Sequence, residues 1–265
     1  KIARSIEILE TTYSHADIIF LQEVAGVFIE KAKETSLINK FDVHFPAKLD
    51  GDRDQNSLIL LKKGVFHEPV AEVTDQILHQ FGDVTVPAED GDLYAILVTS
   101  KSNSNYLLAS FHGDTNGLAT LPVVTAVWKY ATSKATGHKM LFGLDANTYE
   151  KPTNDQQGVV SFADFYREKE LNSCYGPTPN PKNYTTFHAR THLQPQLNKA
   201  ITLEEKDKKG DKNPKDFILF FKNQFNVIIT HKDNTGKKKY VENMVFPTLF
   251  FPSDHGITST LLEEL

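Results

Sequence analysis

Apolar positions along the chain follow two alternating spacings. Ile2, Ile6 and Leu9 recur at helical period with Glu7 and Glu10 between them, which predicts an amphipathic helix at the start. Asp17-Ile18-Ile19-Phe20-Leu21 is instead a near-continuous apolar run, the pattern of a strand covered on both faces. Residues 28–37 return to helical spacing, with Lys31, Lys33 and Glu34 on the solvated side. Ser57-Leu58-Ile59-Leu60-Leu61 predicts a second buried strand, and Leu93 to Thr99 with Tyr106 to Phe111 a pair joined by the polar stretch 101–105. Leu121 to Thr132 reads as a helix with Pro122 in its first turn, where a missing N–H costs nothing. Residues 139–144 predict another buried strand, 162–169 a short helix, and 217–221 and 225–230 late strands. The polar stretch 148–160 and the Pro/Asn-rich 175–184 read as loops, the charged run 203–215 as an exposed insertion, and Lys237-Lys238-Lys239 as a turn between strands. Alternating helical and extended segments favour a mixed α/β fold. Without an internal repeat, a heptad seam or a clear linker, the expectation is a single domain over residues 1–265.

Composition narrows the class without naming a function. At 265 residues and 40% hydrophobic, the chain can bury a core that needs no staples. No apolar run approaches the ~20 residues that a membrane span requires. The lone cysteine, Cys174, excludes a disulfide-built secreted scaffold and fits an intracellular setting, cytoplasmic or nuclear. The net charge of −5 sits in the first half, where 12 basic face 18 acidic side chains in residues 1–135. Such a chain is not a basic nucleic-acid-binding module by charge, while an enzyme with a small, cation-assisted anion site stays open. The sequence starts at Lys1 inside a helical pattern, so the natural N-terminus is expected to lie upstream.

The polar residues with chemical potential stand at the ends of the buried strands. Glu23 follows the first, His112 and Asp114 follow the Tyr106 strand, and Asp145 and Asn147 follow the run 139–144. Asp216 opens the Phe217 strand, and Asp254-His255 follows Phe250-Phe251-Pro252. A single acid at such a place is most simply a helix cap. Five such places in one chain exceed what capping requires, and loops at strand ends are where rigid scaffolds carry catalytic groups.

These residues also carry a resemblance. F-L-Q-E-V at 20–24, S-F-H-G-D at 110–114, G-L-D-A-N-T at 143–148, K-D-F-I-L-F at 215–220 and S-D-H-G-I at 253–257 resemble, in order and over essentially the whole chain, the signatures of the endonuclease/exonuclease/phosphatase superfamily. The resemblance implies a four-layer α/β sandwich, with two mixed β-sheets packed face to face and helices outside. It implies a metal held by Glu23 and Asp254, Mg²⁺ in the first place with Mn²⁺ as substitute. By the same resemblance Asp145 orients or deprotonates the attacking water, and Asn147 and His112 contact the phosphate. His255 donates to phosphate or serves as acid/base, with Asp216 fixing its tautomer. The chain departs from the family in three places. The expected first strand, which ends in a metal-site Asn, is not in the sequence; Leu144 separates Gly143 from Asp145; and Asp216 precedes Phe217 where relatives have Tyr.

Other signals are weaker. His188 and His192 have zinc-ligand spacing but no third ligand, and read as a surface loop. Arg53 and Asn56, before the Leu58 strand, are candidate substrate-binding residues. The Tyr184 to Phe187 segment matches a region where relatives contact substrate. The lysines at 206, 208, 209, 212 and 215 are diluted by nearby acids and read as a solvated loop. There is no Gly-rich phosphate loop and no G-x-S-x-G elbow. The reading is a Mg²⁺-dependent phosphodiesterase whose substrate and partner is nucleic acid or a nucleotide-like ester. The alternatives are a phosphoinositide phosphatase or sphingomyelinase-type phosphoesterase, and an inactive binding module of the same fold.

Overall fold

The computed structural model describes residues 1–47, 49, 55–82, 88–188 and 211–265. Arg53, His192 and the lysines at 206, 208 and 209 lie outside the described residues.

The chain begins with helix α1 (Ile2–Thr11), strand β1 (Ile18–Val24), the short helices α2 (Phe28–Lys33) and α3 (Leu37–Lys40), and strands β2 (Phe41–His44) and β3 (Asn56–Lys62). Then come β4 (Ala71–Glu72), α4 (Thr74–Leu78), β5 (Leu93–Thr99), β6 (Asn105–His112), α5 (Thr120–Ser133) and β7 (Lys139–Asp145). The rest comprises α6 (Val159–Glu168), β8 (Leu171–Ser173), β9 (Asp216–Phe221), β10 (Phe225–Asp233) and β11 (Ile257–Glu264). The helix expected over 28–37 is two helices. Thr35 interrupts it by donating its hydroxyl to the Ala32 carbonyl and accepting the Leu37 N–H, a local bond that competes with the helical ladder.

The strands form two layers. One is a six-stranded sheet in the order β4-β5-β6-β7-β9-β8, mixed because β6 and β7 run parallel through the α5 crossover. The other holds the antiparallel sheet β1-β3-β2 and the β10-β11 hairpin. Strand alternation then decides what each face does. Leu107, Ala109 and Phe111 of β6, with Met140, Phe142 and Leu144 of β7, face α5 and α6 and join Val123, Val127, Phe162 and Tyr166 in one core. Their neighbours Tyr106, Leu108 and Leu141 turn the other way and pack with Ile59, Leu61, Phe20, Val227 and Leu262 between the sheets. The outer face of β1-β3 carries Leu58 and Leu60 against Ile6, Leu9, Phe28 and Leu37 of the first helices. The order helices, sheet, sheet, helices is a four-layer α/β sandwich. A further cluster of Ile8, Tyr13, Phe187, Phe246 and Phe251 closes one side.

Near the site the two sheets approach closely because small residues stand on the facing surface. A Cβ placed on Gly143 would sit 2.3 Å from the Phe20 ring, so only glycine lets β1 lie against β7 here. Next to it, Ser110 donates to the Leu21 carbonyl, and the Gln22 amide donates to Ser110 Oγ at 2.9 Å. These bonds fix the end of β1 to the middle of the large sheet.

Candidate active site

The register of three strands puts the first three site residues in one row. His112 is paired with Asp145 across the parallel β6–β7 ladder, and Asp145 with Asp216 across the antiparallel β7–β9 ladder. Directly paired residues project from the same face of a sheet. Continuing the alternation past Ser110 and Gly143, that face is the one turned to β1. His255 reaches the same row from the far end of the chain. Thr186 forms a bridge with it, and the Gly256 N–H donates to the Thr185 carbonyl, so the Tyr184 to Phe187 segment positions the imidazole.

Glu23 arrives by a different device. The pairing of β1 with β3 shifts register between Leu21 and Val24, and Glu23 has φ 53°. This bulge re-aims the side chain across the end of the large sheet. Asn56, fully buried, donates its amide to the Val24 carbonyl at 3.1 Å and so holds the bulge from the β3 side. Here the predicted substrate-binding residue is turned into the protein.

The resulting geometry is a chain of acids and imidazoles. His112 Nε2 lies 3.1 Å from Glu23 Oε1 and 3.7 Å from Asp145 Oδ2. His255 Nε2 lies 3.7 Å from the same Asp145 oxygen, while its Nδ1 is 2.9 Å from Asp216 Oδ2. Nδ1–H therefore donates to Asp216, which leaves Nε2 to face Asp145. The other Asp145 oxygen accepts the Asn147 N–H at 2.8 Å. Asn147 itself has φ 45°, a conformation that asparagine tolerates better than most residues. Asp254 is half-buried, 3.9 Å from the Lys1 ammonium. Asp114 is a cap: it accepts the N–H groups of Asn116, Leu118 and Ala119 ahead of α5.

Proton affinities follow from this packing. His112's hydrogen bond, working against burial, holds the Glu23 carboxyl at about 2, with help from the charges of His112, His255 and Lys1. Burial disfavours charge on His255, but Asp216 and Asp145 outweigh it and push the imidazole well above its ordinary value. His112 is raised for the same reason, by Glu23 and Asp145 against burial. Asp145 moves up, first through burial and then through the Asp216 charge.

One site residue escaped the sequence reading. Lys215, expected in a solvated run, is only 3% exposed. Its Nζ donates to Asn147 Oδ1 at 3.0 Å, pairs with Asp211 Oδ2 at 3.1 Å and lies over the Tyr149 ring. The signal for it was a lysine directly before the strand-opening Asp216, where the backbone is already committed to the sheet: Ala146 donates its N–H to the Lys215 carbonyl. Lys212, by contrast, rests on the Tyr184 and Phe187 rings.

Among the described residues, Asp145, Asp216 and His255 each offer a ligand atom within 4.8 Å of the others, a cluster able to hold a cation. His255 Nδ1 is already engaged by Asp216, so Nε2 is the atom its imidazole has to offer. The other donors are carboxylate oxygens, from Asp145 and Asp216 with Glu23 and Asp254 nearby. That donor chemistry fits a hard divalent cation.

Comparison with known proteins agrees with this architecture. No protein-family model matches the chain, and no curated protein does. Solved structures do. An endonuclease/exonuclease/phosphatase from Bacteroides vulgatus superposes with TM-score 0.62 at 12% identity, covering 100% of this chain and 91% of that one. D. rerio TDP2 complexed with single-strand DNA product gives 0.58 at 12% identity, over 98% of this chain and 92% of that one. The chain has the endonuclease/exonuclease/phosphatase, or DNase I-like, fold. The human Nocturnin catalytic domain with bound sulfate shares this fold with it at TM-score 0.58 and 13% identity, over 99% of this chain and 86% of that one. Across this fold the row His112–Asp145–Asp216 belongs to the larger sheet, and Glu23 is the contribution of the smaller one.

Proposed function

We propose that the protein is a Mg²⁺-dependent phosphodiesterase that hydrolyses nucleic acid or nucleotide-like phosphodiesters, with Mn²⁺ able to substitute. The observation that carries this reading is Asp145, raised in proton affinity and facing the Nε2 atoms of both His112 and His255 at 3.7 Å. A phosphodiester needs an oriented water, charge neutralisation on non-bridging oxygens and a proton for the leaving oxygen. In this reading Asp145 accepts the proton of an attacking water. His255, kept charged by Asp216, presents Nε2–H to a phosphate oxygen, and Asn147 adds an amide donor. His112 holds Glu23 ionised and adds positive charge beside Asp145. A bound dication, on Glu23, Asp254 and the adjacent carboxylates, would supply Lewis acidity and offset the repulsion between those carboxylates and an anionic substrate. A D. rerio TDP2 holding single-strand DNA product shares the fold, which supports a nucleic-acid substrate.

The test is Mg²⁺-dependent cleavage of single-stranded DNA, duplex DNA, RNA and poly(A), with His255→Ala as control. Losing a positioned acid or base lowers the rate about 10²–10⁴-fold, so His255→Ala should fall by that order. Wild type no faster than His255→Ala on every nucleic acid would sink the reading.

A further inference from the structure

Lys215 is an expensive residue to bury, and stability alone does not explain it. Its side chain is 3% exposed and its partner Asp211 is itself largely buried, accepting the Asn213 amide at 2.6 Å as well as the Lys215 ion pair. Replacing such a buried pair by apolar groups of similar volume is often neutral or stabilising, because desolvation offsets the Coulombic gain. What the ammonium does that an apolar side chain cannot is donate to Asn147 Oδ1 at 3.0 Å.

That bond has a chemical consequence. An ammonium has three donors and no acceptor, so the amide atom facing it is the carbonyl oxygen. The other end of the amide, Nδ2, is then the end left for a ligand, and among the described residues it donates to no protein acceptor. The rest of Asn147 is equally constrained. Its N–H is held by Asp145 Oδ1 at 2.8 Å, and its backbone sits at φ 45°. Lys215 is fixed from its own side, since its N–H donates to Thr185 Oγ1 at 2.8 Å and its carbonyl accepts from Ala146. Its remaining donor capacity is taken by Asp211 and the face of Tyr149.

We propose that Lys215 is a positioning residue which captures the carbonyl end of the Asn147 amide and so presents its Nδ2–H₂ to a non-bridging phosphate oxygen. The proposal rests on the phosphodiesterase reading for its substrate and on this geometry for its mechanism. With no lysine, the amide can turn over and offer the phosphate an oxygen, an acceptor where a donor is required. The loss appears where charge develops on the phosphate, so kcat falls while KM changes little.

The experiment is a double-mutant cycle on the full chain, using whichever phosphodiester the wild type cleaves. Lys215→Met should lower kcat about 10–100-fold with KM within about threefold, somewhat less than the loss from removing an oxyanion donor outright. Lys215→Met combined with Asn147→Ala should be no slower than Asn147→Ala alone, to within about threefold. Lys215→Met/Asp211→Asn removes the ion pair together, so it should keep the wild-type melting temperature and still lose kcat. Losses that multiply in the cycle, or an unchanged kcat in Lys215→Met/Asp211→Asn, would overturn the proposal. A second readout does not need turnover: the Asn147 side-chain amide pair in a ¹⁵N–¹H spectrum, followed during titration with inorganic phosphate. It should shift with phosphate in the wild type and lose that response in Lys215→Met/Asp211→Asn. A response equal in the two proteins refutes the role of Lys215. A wild type without turnover whose amide still answers to phosphate refutes the phosphodiesterase reading and leaves Lys215 in its role.

Discussion

Gly143 shows how a residue with no side chain can place one elsewhere. Any Cβ there would collide with Phe20, so β1 would have to lift from β7 and carry Glu23 with it. Overpacking of this kind costs about 1–3 kcal/mol. Gly143→Ala should lower stability by that amount in urea unfolding, and Phe20→Leu in the same chain should recover part of it. If Gly143→Ala unfolds at the wild-type midpoint, the close approach is not real. The residues of the candidate site were largely legible as a set, because carboxylates and imidazoles stand out where apolar strands end, as Glu23, His112, Asp145, Asp216 and His255 do. The structure brings them together. Lys215 was not legible for a physical reason. In a run of lysines and acids it has the appearance of a solvated side chain, and the acceptor that defines it, Asn147, lies 68 positions away. Asn56 misled in the opposite direction: a polar residue before a strand looks available, yet the β1 bulge takes its amide.

The bulge of β1 is the element that turns a buried strand into a site. Without the register shift after Leu21, Glu23 would follow the pleat of the strand and would not meet His112 at 3.1 Å. Asn56→Ala removes the bond to the Val24 carbonyl and leaves a buried acceptor unsatisfied, a loss of about 1–3 kcal/mol. If Glu23 holds the metal as proposed, the same change frees it, so the Mg²⁺ concentration for half-maximal activity should rise several-fold while saturated activity changes less. Stability loss with unaltered metal dependence would separate the bulge from the site. Long elements with a strong pattern, α1, β3, β5, β6, α5 and β7, were read from the sequence because burial dictates every second or every third to fourth residue. The elements that were not read are the strands β2, β4 and β8, of 4, 2 and 3 residues, the 5-residue helix α4, and β11. Two or three residues cannot show a period. β11, Ile-Thr-Ser-Thr-Leu-Leu-Glu-Glu, mixes polar and apolar residues on a hairpin whose partner β10 is itself half exposed.

At the scale of the whole molecule, the layers must be joined where the chain returns from its C-terminal half to its first helix, and a buried carboxylate does this. Asp233, at the end of β10, is 1% exposed and accepts the Tyr13 hydroxyl from the α1 side at 2.8 Å. It also accepts the N–H groups of Thr235, Gly236 and Lys238, closing the turn in which the lysines 237–239 stand. Burial alone would raise its proton affinity, but these donors, with the Thr235 N–H and the Tyr13 hydroxyl foremost, outweigh it and hold the carboxyl below its usual range. A group whose folded value is depressed adds stability above its unfolded value, near pH 4, and that stability is lost as pH falls through the lower folded value. Asp233→Asn substitutes an amide whose NH₂ cannot accept, so it should cost about 2–3 kcal/mol at pH 7. The difference in unfolding free energy between wild type and Asp233→Asn should be flat from about pH 7 to pH 5 and then narrow steadily below about pH 4. Urea titrations at a series of pH values read this directly, away from every group proposed to touch metal or phosphate. A gap that stays constant to pH 2.5 or so would mean that Asp233 contributes through shape and not through its charge. The layer contact would then rest on the apolar cluster of Ile8, Phe187, Phe246 and Phe251 alone.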